Sequence, residues 1–251
     1  MSTLDRMLKV RQERGAGYFI LLDPDKNDRK ALPAFIREAT ESGVDGFFVG
    51  GSLMLNNDFE EHLRTIKKNT SLPVVIFPGG VMQVSSAADA ILFLTLVSGR
   101  NPDYLIGNQV LAAPIVRQSG LEAISTAYML IEAGNVTSAE FVSNTKPIPR
   151  DKADIALAHA LAAEIIGMKL IYLDAGSGAQ WSVPEEMLQV VSRKCSLPVI
   201  VGGGIKTPEE ARKKVEAGAS FVVTGTVTEH NNHRSFINEF AEAVHAGSAL
   251  H

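Results

Sequence analysis

Cysteine is almost absent from this chain: of 251 residues only Cys195 carries a thiol, so no disulfide can form within it, and a reducing cytoplasm is the expected location. Apolar runs long enough to span a bilayer are lacking, which predicts no transmembrane segment. The first residues, MSTLDRMLKVRQERGAG, are charged and helix-like where a secretory signal would carry an apolar core. No basic stripe with interleaved aromatics is present and the net charge is −4, so a nucleic-acid partner is not expected. The histidines, His62, His159, His230, His233, His245 and His251, make no HxH pair at a predicted strand exit, which leaves a zinc hydrolase poorly supported.

What is present concentrates between Leu197 and Thr226, LPVIVGGGIKTPEEARKKVEAGASFVVTGT. A β-branched apolar run breaks at Gly202, Gly203 and Gly204, a helix restarts at Thr207-Pro208, and a second strand closes on Thr224-Gly225-Thr226. Glycines at such exits let main-chain N–H groups approach an anion, and the helix start behind them adds a favourable dipole; the same glycines would also serve as plain tight turns. A phosphate is the natural guest. The chain is 45% hydrophobic and 21% charged over 251 residues, which suits one large core. The expected fold is α/β, a (β/α)8 TIM barrel filling residues 1–251 as a single domain behind a short N-terminal helical extension. In such barrels the loops after strands 7 and 8 commonly seat a substrate phosphate.

Taken in order, a first strand at Gly17 to Leu22 runs into Asp23-Pro24-Asp25-Lys26. Carboxylates at an upper strand end suit Mg2+; equally, Asp23 makes an Asx turn before Pro24 and Asp25 caps the next helix. A helix over about Arg29 to Ser42 precedes a strand at Gly46 to Val49, which ends in Gly50-Gly51-Ser52. Ser52 is there either a metal or phosphate ligand or an N-cap. A helix at about Asp58 to Lys68 leads to a strand at Pro73 to Phe77 and then Pro78-Gly79-Gly80. The runs SLPVVIFPGGV from Ser71 and SLPVIVGGGI from Ser196 are near copies, as a barrel of two half-barrels would show, strand 3 echoing strand 7. A short helical region is predicted over Val84 to Asp89, a strand over Ala90 to Val97, a helix over about Asp103 to Gln118 and a strand near Ser125 to Ile131. Residues 132–150 show no clear period and form either a lid or a plain excursion. An alanine-rich helix, about Lys152 to Ile166, carries His159, read as packing or surface in preference to a ligand. Helices at Pro184 to about Lys194 and about Ser235 to His245 complete the ring.

Strand 6, Leu170 to Leu173, ends in the second informative stretch, Tyr172-Leu173-Asp174-Ala175-Gly176-Ser177-Gly178-Ala179. Its glycines and Ser177 can bind a phosphate from the side, while Asp174 can accept a hydrogen bond from a substrate hydroxyl and take its proton. The alternative makes Asp174 a cap for the following turn. The functional reading is preferred because this stretch would face the glycines of strands 7 and 8 across one mouth.

LDPDK at Leu22, GGS at Gly50, YLDAGSGA at Tyr172, VGGGI at Val201 and TGT at Thr224 resemble, in order and spacing, the motifs of the geranylgeranylglyceryl phosphate synthases and their bacterial heptaprenylglyceryl phosphate synthase relatives. The resemblance covers nearly the whole chain, and YLDAGSGA with VGGGI is its specific part. It implies a (β/α)8 barrel that joins the 3-hydroxyl of sn-glycerol 1-phosphate to C1 of a long allylic prenyl diphosphate, geranylgeranyl diphosphate foremost, releasing diphosphate with Mg2+. By the resemblance Asp23 and Ser52 are the magnesium positions and Asp174 is catalytic. Tyr172, Leu173, Asp174, Ala175, Gly176, Ser177, Gly178, Gly203, Gly204, Gly225 and Thr226 bind glycerol phosphate. Two departures stand out: many relatives have Glu where Asp174 stands, and some have a lysine where Leu21 stands. A homo-oligomer, dimer or hexamer, and a transient membrane contact for the lipid product are expected partners.

Phe77, Leu94, Tyr104 and Met129 are the candidate walls of the prenyl groove, or ordinary barrel core. Other readings remain open at this level: a sugar-phosphate or indole-type barrel enzyme, and a catalytically silent phosphate-ligand sensor. A Schiff-base version of the former would want a lysine at an upper strand end, whereas Lys169 falls at the lower end of strand 6.

Overall fold

A computed structural model describes residues 1–56, 58–225 and 234–247. Parallel strands close into a barrel in sequence order: β1 (Gly17–Leu22), β2 (Gly46–Val49), β3 (Val74–Ile76), β4 (Ala90–Leu96), β5 (Glu122–Leu130), β6 (Leu170–Asp174), β7 (Val199–Gly202) and β8 (Phe221–Thr224). β8 pairs back onto β1 with Gly17 opposite Phe221, so no sheet edge is left open. Around the barrel run α2 (Leu32–Glu41), α3 (Phe59–Asn69), α4 (Asn108–Ser119), α5 (Ser138–Ser143), α6 (Ala153–Ile166), α7 (Glu185–Lys194), α8 (Pro208–Glu216) and α9 (Arg234–Ala246), preceded by α1 (Thr3–Arg14). The expected (β/α)8 fold is the one observed.

The strands read as unbroken apolar runs because both their faces are covered. Along β6, Leu170 and Tyr172 pack inside the barrel, whereas Ile171 and Leu173 pack outward against the helices. The interior is unusually aromatic for a chain that is only 6% Phe, Trp and Tyr. Phe19 and Phe48 lie 5.0 Å apart centroid to centroid, Phe19 meets Phe221 edge-on at 5.8 Å, and Phe77 stacks on Tyr172 at 4.9 Å.

The lower end is closed by α1. Ser2 and Asp5 form a capping box, and the side chain of Met7 enters the interior cluster with Phe19, Leu170 and Phe221. Glu122, at the foot of β5, accepts from the Leu4 amide at 3.1 Å and from that of Thr3, placing a carboxylate on the first turn of α1. Asp45, just ahead of β2 and buried, accepts from the Tyr18 amide at 2.8 Å and the Arg14 guanidinium at 3.0 Å, and lies 2.8 Å from His245 Nε2. One carboxylate thus ties α1, β1 and α9 together.

Several boundaries depart from the sequence reading. The helix predicted over Val84 to Asp89 is a set of turns: Ser85 Oγ accepts from the Ala87 amide at 3.2 Å, and Asp89 takes the Val74 amide at 2.8 Å and Lys67 Nζ at 2.7 Å. The helix predicted from Asp103 begins with a π-helical turn, Asp103–Gly107, before α4. Within 132–150 the unpredicted α5 is capped by Thr137, whose side chain accepts from Glu140 N.

Candidate active site

Two cavities, of ≈ 470 and ≈ 390 Å3, open at the upper ends of the strands and meet along a seam formed by Leu21, Asp174, Ser177 and Gly225. The smaller is walled by main chain. Gly176, Ser177 and Gly178 after β6, Gly203 and Gly204 after β7, and Gly225 after β8 all line it, as the sequence spacing predicted. α8 starts just beyond, with Thr207 as N-cap and Pro208 in the first turn, so a helix N-terminus adds its partial positive charge. Lys206, also in the wall, donates from Nζ to the Gln180 carbonyl at 2.9 Å. Gly203 has φ of +79°, and a Cβ there would come 2.5 Å from the Gly176 amide nitrogen and 2.7 Å from Asp174 Oδ1. Only glycine allows both that conformation and that approach.

Asp174 ends β6 on its inward face. Its carboxylate is buried, accepting from Tyr128 Oη at 2.7 Å and from the Gly176 amide at 2.7 Å. Burial pushes its pKa up, opposed by those two hydrogen bonds. Burial, reinforced by the Asp174 charge, raises the Tyr128 phenol well above its ordinary value, so Tyr128 keeps its proton and donates. The alternative reading is met as well: the Gly176 amide bond to Oδ1 is the turn cap, while Oδ2 accepts from Tyr128 and the carboxylate still lines both cavities. Asp174 is therefore a carboxylate of raised proton affinity placed where the two cavities join.

The larger cavity is mostly apolar. Phe77, Leu92, Leu94, Tyr104 and Val142 are among its walls, and α5 supplies one side of it. Met129, read as either groove wall or barrel core, is core, buried in the outer layer; its neighbour Tyr128 takes the inward position because side chains alternate along a strand. Asp23 and Ser52 line the polar end of the same cavity. A Cβ on Gly51 would lie 3.0 Å from Asp23 Oδ1, so the β1 carboxylate rests against the β2 exit that carries Ser52. Asp23 also makes the Asx turn, accepting from the Asp25 amide at 3.1 Å. Asp25 caps no helix; it accepts from the amides of Leu55 at 2.7 Å and Asn56 at 3.2 Å, which holds its carboxyl below the usual range. Among the described residues no three His, Cys, Asp or Glu side chains converge as a metal cluster.

Of the remaining predicted residues, Tyr172 lines the smaller cavity, whereas the side chains of Leu173 and Ala175 belong to the outer core and leave only main chain to contribute. Thr226, His230, His233 and His251 lie outside the described residues. Sequence reasoning missed Tyr128 and Gln83. Gln83 is buried and clips the β2 and β3 exits together, accepting from Gly51 N at 3.3 Å and Gly79 N at 3.2 Å and donating to Gly51 O at 2.7 Å. Nothing in Val81-Met82-Gln83-Val84, one polar residue among apolar ones, signals that role.

Known proteins resemble this chain over most of its length. The profile of the PcrB family matches residues 8–244. A geranylgeranylglyceryl phosphate synthase of Chitinophaga pinensis is 45% identical over 241 residues, covering 96% of this chain and 95% of that one. One from Flavobacterium johnsoniae is 50% identical over 214 residues, 85% of this chain and 88% of its own. Among solved structures, (S)-3-O-geranylgeranylglyceryl phosphate synthase of Thermoplasma acidophilum in complex with its substrate sn-glycerol-1-phosphate superposes with a TM-score of 0.92 at 35% identity, covering 98% of this chain and 99% of that one.

Proposed function

The chain belongs to the PcrB family, and from that premise we propose that it is a geranylgeranylglyceryl phosphate synthase, a prenyltransferase that joins the 3-hydroxyl oxygen of sn-glycerol 1-phosphate to C1 of geranylgeranyl diphosphate. The observation that carries the reading is the position of Asp174, one buried carboxylate on the seam between an amide-lined cavity and an apolar one. The first suits a small phosphorylated alcohol, the second an isoprenoid tail.

The smaller cavity binds the phosphate with main-chain N–H groups of the β6, β7 and β8 exits, and Lys206 stands at its edge. With the phosphate anchored there, the 3-hydroxyl reaches Asp174. The apolar cavity holds the tail and excludes water; each buried methylene contributes about 0.8 kcal/mol, so the tail supplies most of the affinity for that substrate. An allylic diphosphate ionises readily, and the main task is to hold the hydroxyl in line with C1. As the C–O bond forms, the carbon–diphosphate bond breaks with its electron pair leaving on diphosphate, and Asp174 receives the hydroxyl proton. Tyr128 and the Gly176 amide keep its carboxylate oriented throughout.

Mg2+ belongs to this reading as cofactor. Mg2+ is commonly held by one or two carboxylates with substrate phosphates filling the remaining positions. Asp23 with Ser52 offers one carboxylate and one hydroxyl on a shared wall, a set that fits if phosphate oxygens complete it. Bound there, the ion would neutralise charge on the departing diphosphate. The reading extends to a cytoplasmic homo-oligomer, supported by exposed Val110, Leu111 and Ile115 on α4, and to a passing membrane contact, supported by exposed Leu53, Leu55 and Met82. Among the described residues no helix is long and apolar enough to cross a membrane.

Incubation with radiolabelled sn-glycerol 1-phosphate, Mg2+ and prenyl diphosphates of several lengths tests the proposal. Label should pass into an organic-soluble prenylglyceryl phosphate; label that stays in the aqueous phase with every diphosphate ends it.

A further inference from the structure

We propose that Lys26 is the ammonium that grips the diphosphate of the isoprenoid substrate, an assignment that rests on the prenyltransferase reading above. Its stem leaves a turn that is firmly built: the amides of Lys26 and Asn27 both donate to the Asp23 carbonyl, at 3.0 and 3.2 Å. From there Nζ reaches 3.3 Å from Asp23 Oδ2 and 3.5 Å from Ser177 Oγ on the far side of the mouth. The ammonium therefore stands at the seam, beside the carboxylate expected to face the metal.

Charge makes the assignment specific. The larger cavity is lined by three carboxylates, Asp23, Asp25 and Asp174, and among the described residues Lys26 is its one cationic side chain. Without it every charged side chain described on that wall would be acidic and a metal ion alone would offset the diphosphate, and charge-assisted hydrogen bonds to phosphate oxygens are the strong ones. Leu21, at the seam, supplies no charge from β1 itself. The smaller cavity is lined by its own lysine, Lys206, and not by Lys26, so the two phosphate-bearing substrates divide the two ammonium groups between them. With Asp23 engaged by a divalent ion, Lys26 is released toward the phosphate oxygens.

Calorimetric titration of inorganic pyrophosphate with Mg2+, and separately of sn-glycerol 1-phosphate, into the parent chain, Lys26→Met and Lys26→Arg tests this. Lys26→Met, which keeps the stem, should raise the pyrophosphate Kd at least tenfold, Lys26→Arg should restore part of it, and the glycerol phosphate Kd should not move. Equal pyrophosphate affinity in parent and Lys26→Met, no pyrophosphate binding by the parent, or a loss confined to glycerol phosphate would each overturn the assignment. Turnover measured alongside separates the two claims. A parent that forms no ether while Lys26→Met still loses pyrophosphate discredits the prenyltransferase reading alone; normal turnover with unchanged pyrophosphate affinity discredits Lys26 alone.

Discussion

β3 and β7 begin from nearly the same residues, SLPVVIFPGGV and SLPVIVGGGI, and sit on opposite sides of the ring, yet their upper ends do opposite work. The divergence that changes the exits falls at two positions just past the shared apolar run. Where β3 continues into Phe77 and Pro78, β7 continues into Gly202 and Gly203. Phe77 turns into the mouth, walls the apolar cavity and stacks on Tyr172. Gly202 removes a side chain at the matching place, and a Cβ there would lie 2.6 Å from Tyr172 Oη. One tyrosine is thus gripped by an aromatic from β3 and admitted by a gap in β7. Proline at 203 would be impossible, since φ is +79° and proline is fixed near −65°. A symmetry of strands coexists with a strict asymmetry of exits, and in the proposed reading that asymmetry sorts phosphate from hydrocarbon.

The comparison breaks most completely at the seam where the two exits meet. Asp174→Asn should lower turnover by roughly 10²–10⁴, the range for losing a general base, while calorimetry still detects glycerol phosphate; unchanged turnover removes Asp174 from the mechanism. On the β7 side, Gly203→Ala forces strain of about 1–3 kcal/mol onto the Gly176 amide and should raise KM for glycerol phosphate roughly ten- to hundredfold, leaving KM for the isoprenoid alone. An equal rise in both constants would mean that the exits are not separate in function. On the β3 side, Phe77→Ala removes an apolar wall of the larger cavity together with its ring contacts to Phe48, Tyr128 and Tyr172, so KM for the isoprenoid should rise about tenfold, about 1.4 kcal/mol, with KM for glycerol phosphate unmoved.

Smaller effects sharpen the role of the base. Turnover should fall as pH drops and Asp174 takes up its proton, and Tyr128→Phe, by deleting a bond that lowers that pKa, should shift the acid limb of the kcat profile to higher pH. A limb that stays in place would show that the Tyr128 bond does not tune the carboxylate. Stability carries the same signature. Because the folded-state pKa lies above the ordinary 3.8, Asp174 favours the fold in acid and withdraws that support as pH rises through the folded value. Denaturation midpoints of Asp174→Asn should therefore match the parent in acid and exceed it by a growing margin toward neutrality.

β1 and β2 were readable to the residue, since each is an apolar run stopped by a proline- or glycine-containing turn. The glycine exits, Asp174 and the polar pair Asp23 and Ser52 could be placed at the upper ends for the same reason: the local pattern states where each strand stops. What could not be read was facing. In a strand apolar on both sides nothing in Tyr128-Met129 says which residue points inward; register against β6, with Tyr128 opposite Tyr172, decides it. Val84 to Asp89 has the composition of a helix, but Asp89 and Ser85 spend their side chains on distant or adjacent amides, a competition invisible without the third dimension. α5 is too short for periodicity to register; Thr137 caps it, and Ala139 and Val142 line the apolar cavity.

The seating of Met7 beneath the barrel makes the molecule a cul-de-sac. In the proposed reading both reactants and the bulky ether come and go by the upper end of the barrel and meet across Leu21 and Ser177, so the order in which they bind would bear on turnover.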